Sequence, residues 1–478
     1  MKYTPTIGIE CHVQLKTKTK LFAPVGNDAR EAPPNTLISH ICLGMPGALP
    51  VLNKEAVNLA IKAAKALKTR AQKFSAFDRK HYFYPDLPMG YQISQLYYPI
   101  ILGGEVDITI DGETKKIGIT RAHLEADAGK NTHPAGKDYS LVDLNRAGTP
   151  LLEIVSEPDM HSAAEAKAYA RELYLLMKYA DVSEADLYYG NMRFDINISI
   201  SADENLGNRA EIKNLNSFRA VEKAVEYEIK RQTELLEKGE KVVQETRGWD
   251  DAKQKTFSQR SKEDAHDYRY MPNPDIPPVV LTDEYISEQE TGTGESLDDI
   301  RSDLYSAGAS ESFAEDILEE PIICRFVLDI NKTEKDHNVV ETITQWVGQL
   351  APKIAFDNQK NIADLQLNKN QIVKLSKMYN IDESVSSTQA KTLFEQIILN
   401  GIDVESYAKE NGLLQLNDSS ELEKIVSEVL GANQKAAEDV KNGEMKAIGF
   451  LVGQVMKQSG GKANPPMVQE LIKKQLGV

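Results

Sequence analysis

A strict two-residue alternation recurs in segments far apart in this chain, and it limits the possible folds more than any other feature. In TIGIECHVQL, residues 6 to 15, Ile7, Ile9, Cys11, Val13 and Leu15 face one way while Glu10, His12 and Gln14 face the other. In RAHLEAD, residues 121 to 127, Arg121, His123, Glu125 and Asp127 oppose Ala122, Leu124 and Ala126. In MRFDINISI, residues 192 to 200, Arg193, Asp195, Asn197 and Ser199 oppose Met192, Phe194, Ile196, Ile198 and Ile200. Successive side chains of a strand point to opposite faces, so each segment predicts a strand with one apolar and one polar face. EVDITIDGETKKIGIT predicts a hairpin about Asp111–Gly112. Such strands suit an antiparallel sheet that buries one face.

Helix signals lie between the strands. Ser162 and Glu165 predict a capping box before AEAKAYARELYLLMKYA, and a second helix runs from Ser217 to a stop at Gly239. From about residue 286 the strand patterns fade. Residues 281 to 320 hold 13 acidic residues and 1 basic residue, an acidic connector or a set of solvated helices. Beyond 330 nearly every segment reads as helix, and Asn464–Pro465 is the cap and first turn of the last one. The expected fold class is α+β. A sheet-rich domain over 1–285 precedes a helical domain over 286–405 and a small helical tail domain over 406–478.

The net charge of -16 argues at first against nucleic acid, but the charge is uneven. Residues 54 to 81 carry 8 basic and 2 acidic residues, and residues 431 to 478 carry 7 and 4. RNA binding needs a local basic surface, not a basic protein. For Lys62, Lys65 and Lys68 the simpler reading is the solvated face of a helix. No apolar run is long enough for a membrane span, and the N-terminus has no signal or transit character. Three cysteines make no disulfide framework. A cytoplasmic protein with no membrane partner is expected.

The polar sheet face is unusual. It gathers Glu10, His12, His123, Glu125, Asp127, Arg193, Asp195 and Lys213 from distant segments. Residues two apart on a strand are roughly 7 Å apart, so Glu10 and His12 can converge on one ion. Carboxylates with one imidazole suit Mg²⁺ or Mn²⁺ better than Zn²⁺. The pattern alone fits an exposed face with chance ion pairs equally well. No phosphate-binding glycine loop, nucleophile elbow or Ser/Lys amidase run is present. Cys11 alternates inward as a core thiol, and Cys42 with His40 is too small a set for zinc.

Several long motifs, in order, carry a resemblance. They are IGIECHVQL, LGMPGALPVLN, FDRKHYFYPDLPMGYQISQ, GITRAHLEADAGK, YSLVDLNRAGTPLLEIVSEPD, AEIKNLNSF, QETRGWD and RSKEDAHDYRYMPNPDIPP, with KAIGFLVGQVMKQSGGKANPPMVQELIKKQL at the far end. The chain resembles the GatB family, the B subunits of GatCAB tRNA-dependent amidotransferases. Residues 285 to 405 resemble it only weakly.

The resemblance implies a cradle-shaped kinase and transamidase domain, a helical domain and a tRNA-binding tail. It implies a heterotrimer with an amidase, the A subunit, and with the small C subunit. It implies ATP-dependent phosphorylation of Glu or Asp esterified to tRNA(Gln) or tRNA(Asn), then amidation with ammonia drawn from glutamine. By resemblance Glu10, His12, Glu125 and Glu153 are candidates for a magnesium or manganese site, with Glu10, His12 and Glu125 also catalytic. Arg193, Asp195, Lys213, Asn214 and Arg269 are candidates for ATP or acceptor-end contacts. Glu153 has apolar neighbours on both sides in LLEIV, where an unpaired carboxylate is costly.

The chain also departs from the family. Tyr188–Tyr189 replace an acidic pair, and Met271 and Asn273 replace an aromatic and an acid. Ser39-His40-Ile41-Cys42 replaces a two-cysteine motif, which argues against a structural zinc. A non-catalytic tRNA-binding scaffold and a metal-dependent hydrolase are the rival readings. Retention of Glu10, His12, Glu125 and Glu153 argues against the scaffold.

Overall fold

In a computed structural model the described residues are 3–478 except 204, 262–266, 292–294, 416–418, 443, 445 and 460–462. Parts of two quoted motifs, 262–266 and 460–462, therefore lie outside the described residues. The chain divides into two compact units, Met1–Leu297 and Asp298–Val478.

The first unit is built on a nine-stranded sheet. Its strands are β1 (Thr4–Gln14), β2 (Ile101–Leu102), β3 (Glu105–Ile110), β4 (Glu113–Ala126), β5 (Pro150–Ser156), β6 (Met192–Ser201), β7 (Ala210–Leu215), β8 (Glu245–Asp250) and β9 (Lys255–Ser261). Their order is β9-β8-β7-β6-β1-β5-β4-β2, with β3 paired to β4. The β3–β4 hairpin turns at Asp111 and Gly112, both with positive φ (51° and 81°). That conformation matches the twist of a two-residue hairpin, and glycine adopts it without strain.

The alternation holds. Ile7, Ile9, Cys11, Val13, Phe194, Ile196 and Ile198 are buried on one face. They pack with Tyr169, Leu173 and Met177 of α2 (Ala163–Tyr179) and Val221 and Val225 of α3 (Phe218–Glu237) in one apolar cluster. A third helix, α1 (Lys54–Ala66), adds Leu59, Ile61 and Ala64 to the same cluster.

Two expectations need correction. The sheet is not wholly antiparallel, since β7 pairs β8 in parallel, with Ala210 opposite Glu245. The cause is α3. A helix between two paired strands returns the chain to its starting edge, so the strands must run the same way. The capping box is also incomplete. Ser162 Oγ accepts from Glu165 N, but the Glu165 carboxylate accepts from His161 N and Lys115 Nζ instead of the cap residue's own N–H.

A buried ionic cluster ties the crossover helix to the sheet. Glu228 of α3 is fully buried. Its carboxylate meets Arg231 at 2.8 Å and Arg247 of β8 at 3.1 Å, and accepts from Gln232 at 3.0 Å and Thr256 of β9 at 2.5 Å.

The basic stretch 54–81 does not present a bare cationic surface. Lys68 pairs with Asp107, while Arg70 and Lys73 pair with Asp283 at the start of α4 (Asp283–Glu290). Lys65 donates to the Glu290 carbonyl. The acidic segment that follows is helical over Leu297–Ser306 and Glu311–Leu318.

The second unit is helical throughout its described elements. The helix Val404–Glu410 packs on Lys369–Asn380 and Ser387–Asn400. A separate apolar cluster spans Leu422 to Ile472, with Val426, Leu451, Val455 and Val468 at its centre. Asn464 caps the last helix, Pro465–Leu476, by accepting from Met467 N.

Candidate active site

Register, more than spacing along the chain, builds the polar face. His12 of β1 stands opposite Glu153 of β5 on one side and Arg193 of β6 on the other. Glu153 in turn stands opposite His123 of β4. Arg193, His12, Glu153 and His123 therefore form one row across four strands. Glu125, two residues beyond His123, falls diagonally beside Glu153. Directly paired side chains have Cβ atoms about 4.5–5.5 Å apart, and diagonal neighbours remain within reach.

His12, Glu125 and Glu153 converge, each offering a ligand atom within 4.8 Å of the others. His12 Nε2 lies 3.8 Å from Glu125 Oε1 and 3.7 Å from Glu153 Oε2. His123 Nε2 lies 3.6 Å from Glu125 and 3.4 Å from Glu153. All four distances exceed ordinary hydrogen-bond lengths, so the donors surround a point without closing on one another.

Glu10 lies outside this group. Its carboxylate accepts from Asn197 Nδ2 at 2.9 Å, and burial followed by the charge of Glu153 raises its pKa. His123 is not among the candidates that the resemblance supplies, yet it is buried between the two glutamates. Burial disfavours its charge, but Glu153 and Glu125 outweigh burial and push its pKa up to about 9. Burial likewise opposes ionisation of Glu153, but His123, His12 and Lys80 hold its pKa well below the usual carboxylate range. The alternation of RAHLEAD is the signal that puts His123 on this face.

The flanking candidates form two further groups. Asp195, buried on β6, accepts from Asn214 N at 2.7 Å and Lys213 Nζ at 3.1 Å. A register shift between Phe194 and Ile196 and a left-handed Asn214 (φ 62°) turn this segment toward Asp195. Lys213 also meets Glu211 at 2.9 Å, and Asp195 and Glu211 raise its pKa against the opposing effect of burial. Arg193 meets Asp127 at 3.3 Å, and Arg146 shares that carboxylate at 3.2 Å.

Arg269 is held apart, on the loop before Met271–Pro272. That strand joins a small sheet with Asp78–His81 and Tyr91–Ser94. Lys80 of this sheet pairs with Gln92, whose side chain donates to the carbonyl of Ala126, next to Glu125. Lys80 thus belongs beside the triad. Glu125 and Glu153 keep it charged against burial. The mixed DRKHYFY segment has no clean period that could have singled it out.

Residues 5–287 match the model of the GatB/GatE catalytic domain, and residues 328–476 match that of the GatB domain. The chain belongs to the GatB/GatE family. The B subunit of the aspartyl/glutamyl-tRNA(Asn/Gln) amidotransferase of Carboxydothermus hydrogenoformans is 42% identical over 481 residues, covering 99% of each chain. The protein of the same name from Brevibacillus brevis is 43% identical over 481 residues, again 99% of each. That of Thermotoga maritima is 42% identical over 484 residues, 100% of this chain and 99% of its own. Likeness to the GatB/GatE family therefore extends through the middle of the chain, where the quoted motifs are absent.

Within this GatB/GatE member, Met271 is exposed while Asn273 is buried, its backbone N–H donating to the Phe77 carbonyl. Tyr188 and Tyr189 are exposed at the entry to β6, edge to face at 5.3 Å. Arg30 sits over the Tyr189 ring at 5.7 Å. His40 is exposed while Cys42 is buried, its Sγ 3.5 Å from Lys20 Nζ. Among the described residues, no helix is long and apolar enough to cross a membrane.

Proposed function

We propose that this chain is the B subunit of a tRNA-dependent amidotransferase. In this reading it phosphorylates the side-chain carboxylate of Glu or Asp esterified to tRNA(Gln) or tRNA(Asn), then converts it to the amide. The convergence of His12, Glu125 and Glu153 carries the reading. Two carboxylates and one imidazole spaced around an open point fit Mg²⁺ or Mn²⁺. Such an ion, when bound, neutralises charge on the ATP phosphates.

The residues of the chain have separate tasks in this reaction. A free carboxylate is a poor electrophile. Its oxygen takes the γ-phosphoryl group of ATP, and ammonia then displaces phosphate at the carbonyl carbon. Phosphoryl transfer depends on positioning and on fixed positive charge. Arg193 and Lys213, each oriented by a buried or half-buried carboxylate, are assigned to the ATP phosphates. Asp195 and the left-handed Asn214 hold Lys213 in place. Lys80 faces the triad from the small sheet and steadies its negative charge. Glu10, bonded to Asn197, supports the row behind His12.

The sequence shows no glutaminase nucleophile, so ammonia from glutamine requires the amidase partner, with the small third protein completing the heterotrimer. Co-expression with both partners should give glutamine-dependent amidation of misacylated tRNA and transfer of label from γ-labelled ATP to the aminoacyl group. The highly purified single chain should amidate nothing with glutamine. Glutamine-dependent product from the chain alone, or hydrolysis without labelled aminoacyl-tRNA from the complex, contradicts the reading.

The tail cluster of Leu422–Ile472 is assigned to tRNA. Ending the chain after Gln415 leaves the Val404–Glu410 helix and its partners intact. This truncation should weaken tRNA binding and flatten its dependence on salt, because phosphate contacts set that dependence. Filter binding over a salt series checks this, and an unchanged affinity rules the assignment out.

A further inference from the structure

Lys20 is 1% exposed, a burial that lysine seldom reaches without a partner. Its Nζ lies 3.5 Å from Cys42 Sγ and 3.3 Å from the Leu144 carbonyl oxygen. Among the described residues no carboxylate is within ion-pair distance of this amine, and Asp143 acts on it only from farther away. The backbone fixes both groups. Lys20 N–H donates to the Val25 carbonyl at 3.0 Å, and Leu21 N–H to that of Gly148 at 2.9 Å. The loop 39–44, which carries Cys42, closes on itself through Leu43 N–H to Ser39 O at 3.1 Å and Gly44 N–H to Ile41 O at 3.0 Å.

The Cys42 sulfur receives two donors, Lys20 Nζ and Ser39 Oγ, each at 3.5 Å. Donors and positive charge favour the thiolate, the nucleophilic form of cysteine. Burial pulls the Lys20 amine below the usual lysine range, while Cys42 opposes that shift. Two nucleophiles therefore share one proton. A cavity of about 40 Å³, lined in part by Lys20, Cys42, Met89, Ala126 and Asp127, reaches both groups. A single water needs about 10–15 Å³, so this space admits hydrogen peroxide, with its two oxygens. The other cysteines are less accessible. Cys11 and Cys324 are 0% exposed against 7% for Cys42, and burial followed by Asp195 pushes the Cys11 thiol up.

We infer that Cys42 and Lys20 form a reversible oxidation site, where hydrogen peroxide turns the thiol into a sulfenic acid and the adjoining amine closes a sulfur–nitrogen bond. In the first step the thiolate takes one peroxide oxygen and the O–O bond breaks. Sulfur is oxidised by two electrons and the peroxide is reduced. The displaced hydroxide takes a proton from the Lys20 ammonium, leaving water and a neutral amine. In the second step that nitrogen attacks sulfur, the S–O bond breaks, and the hydroxyl departs as a second water with a proton from nitrogen. One thiol, one amine and one peroxide thus give one sulfenamide and two waters. Sulfenic acids condense with nearby thiols or nitrogens, and at Cys42 the nearby group is the Lys20 amine. Contact between the two makes the closure effectively unimolecular. The site needs nothing from the reaction proposed above, although its cavity wall at Ala126 and Asp127 directly follows Glu125 in the chain.

The test treats the full chain with a small excess of hydrogen peroxide, alkylates the remaining thiols, digests at acidic residues and maps the cysteines by mass spectrometry. Cys42 should be consumed faster than Cys11 or Cys324 by about tenfold or more, the gain in thiolate fraction that one pKa unit brings. Its peptide should emerge joined to that of Lys20, lighter than their sum by two hydrogens, and a dithiol should separate them. The same treatment in denaturant should give no link, because only the folded chain sets amine against sulfur. Cys42→Ser should abolish the link. Lys20→Met keeps a long unbranched side chain in the cavity and removes the amine, so Cys42 should react about tenfold more slowly and stop at its oxygen acids. If that variant does not fold, the parent's linked peptide, its absence in denaturant and its loss in Cys42→Ser decide the matter. Equal consumption of the three cysteines in the folded parent overturns the inference. So does a folded parent in which Cys42 is oxidised and Lys20 stays unlinked.

Discussion

Glu125→Gln should lower phosphoryl transfer to aminoacyl-tRNA by about a hundredfold or more, the scale on which loss of one preorganised electrostatic contact acts. The change keeps the side chain's size and removes its charge. Glu125 is buried, and it faces His12 and His123 at 3.8 and 3.6 Å. Binding of tRNA should change little, because its contacts spread over a far larger surface. A purely structural role predicts a different outcome, with melting temperature and RNA affinity falling together with activity. All three belong on one preparation. A folded variant with full activity and the parent's magnesium dependence would end the assignment of this triad.

Glu228→Ala should destabilise the first unit by about 3–5 kcal/mol, the cost of stranding buried charge after one partner is removed. Arg231, Arg247, Gln232 and Thr256 would all lose their shared acceptor. Burial opposes ionisation of Glu228, but these partners lower its pKa below the glutamate value. Its contribution is therefore complete above the ordinary glutamate range, where the unfolded side chain is also ionised. It fades as pH falls through the lowered folded value. Denaturant melts at neutral and acidic pH test this. The variant and the parent should converge in acid, and a constant difference would show that Glu228 does not supply the charge holding the crossover.

Much of the sheet was legible because period two is a local property. His12, Glu125, Arg193 and Asp195 could all be placed on one face from three short segments. Which of them meet was not legible, since that depends on pairing between strands distant in sequence. Glu10 is two residues from His12 and looks like its natural partner. The groups that meet His12 are instead Glu153, directly across on β5, and Glu125 of β4, while Glu10 turns to Asn197. The helix from Ser217 to Gly239 was also evident, but its consequence, a parallel β7–β8 pair, depends on where the chain returns. Asparagine is enriched in the left-handed region, so Asn214 carries a weak local signal, but nothing in the local sequence marks Arg269 as left-handed. The basic stretch 54–81 looks like a surface in isolation and meets its counter-charges in distant segments, Asp107 for Lys68 and, some two hundred residues later, Asp283 of α4 for Arg70 and Lys73.

The central position of β1 has a consequence for how the molecule is made. This strand leaves the ribosome well before its neighbours, Leu151–Val155 and Met192–Ser201. Until Leu151–Val155 has been synthesised, the apolar row Ile7, Ile9, Cys11 and Val13 has no partner strand, and α2 and α3 of its cluster follow later still. Closing such long loops slows folding and leaves unpaired edges open to wrong association. The nascent chain is thus most vulnerable until Met192–Ser201 has emerged, the period in which a holding chaperone would matter most.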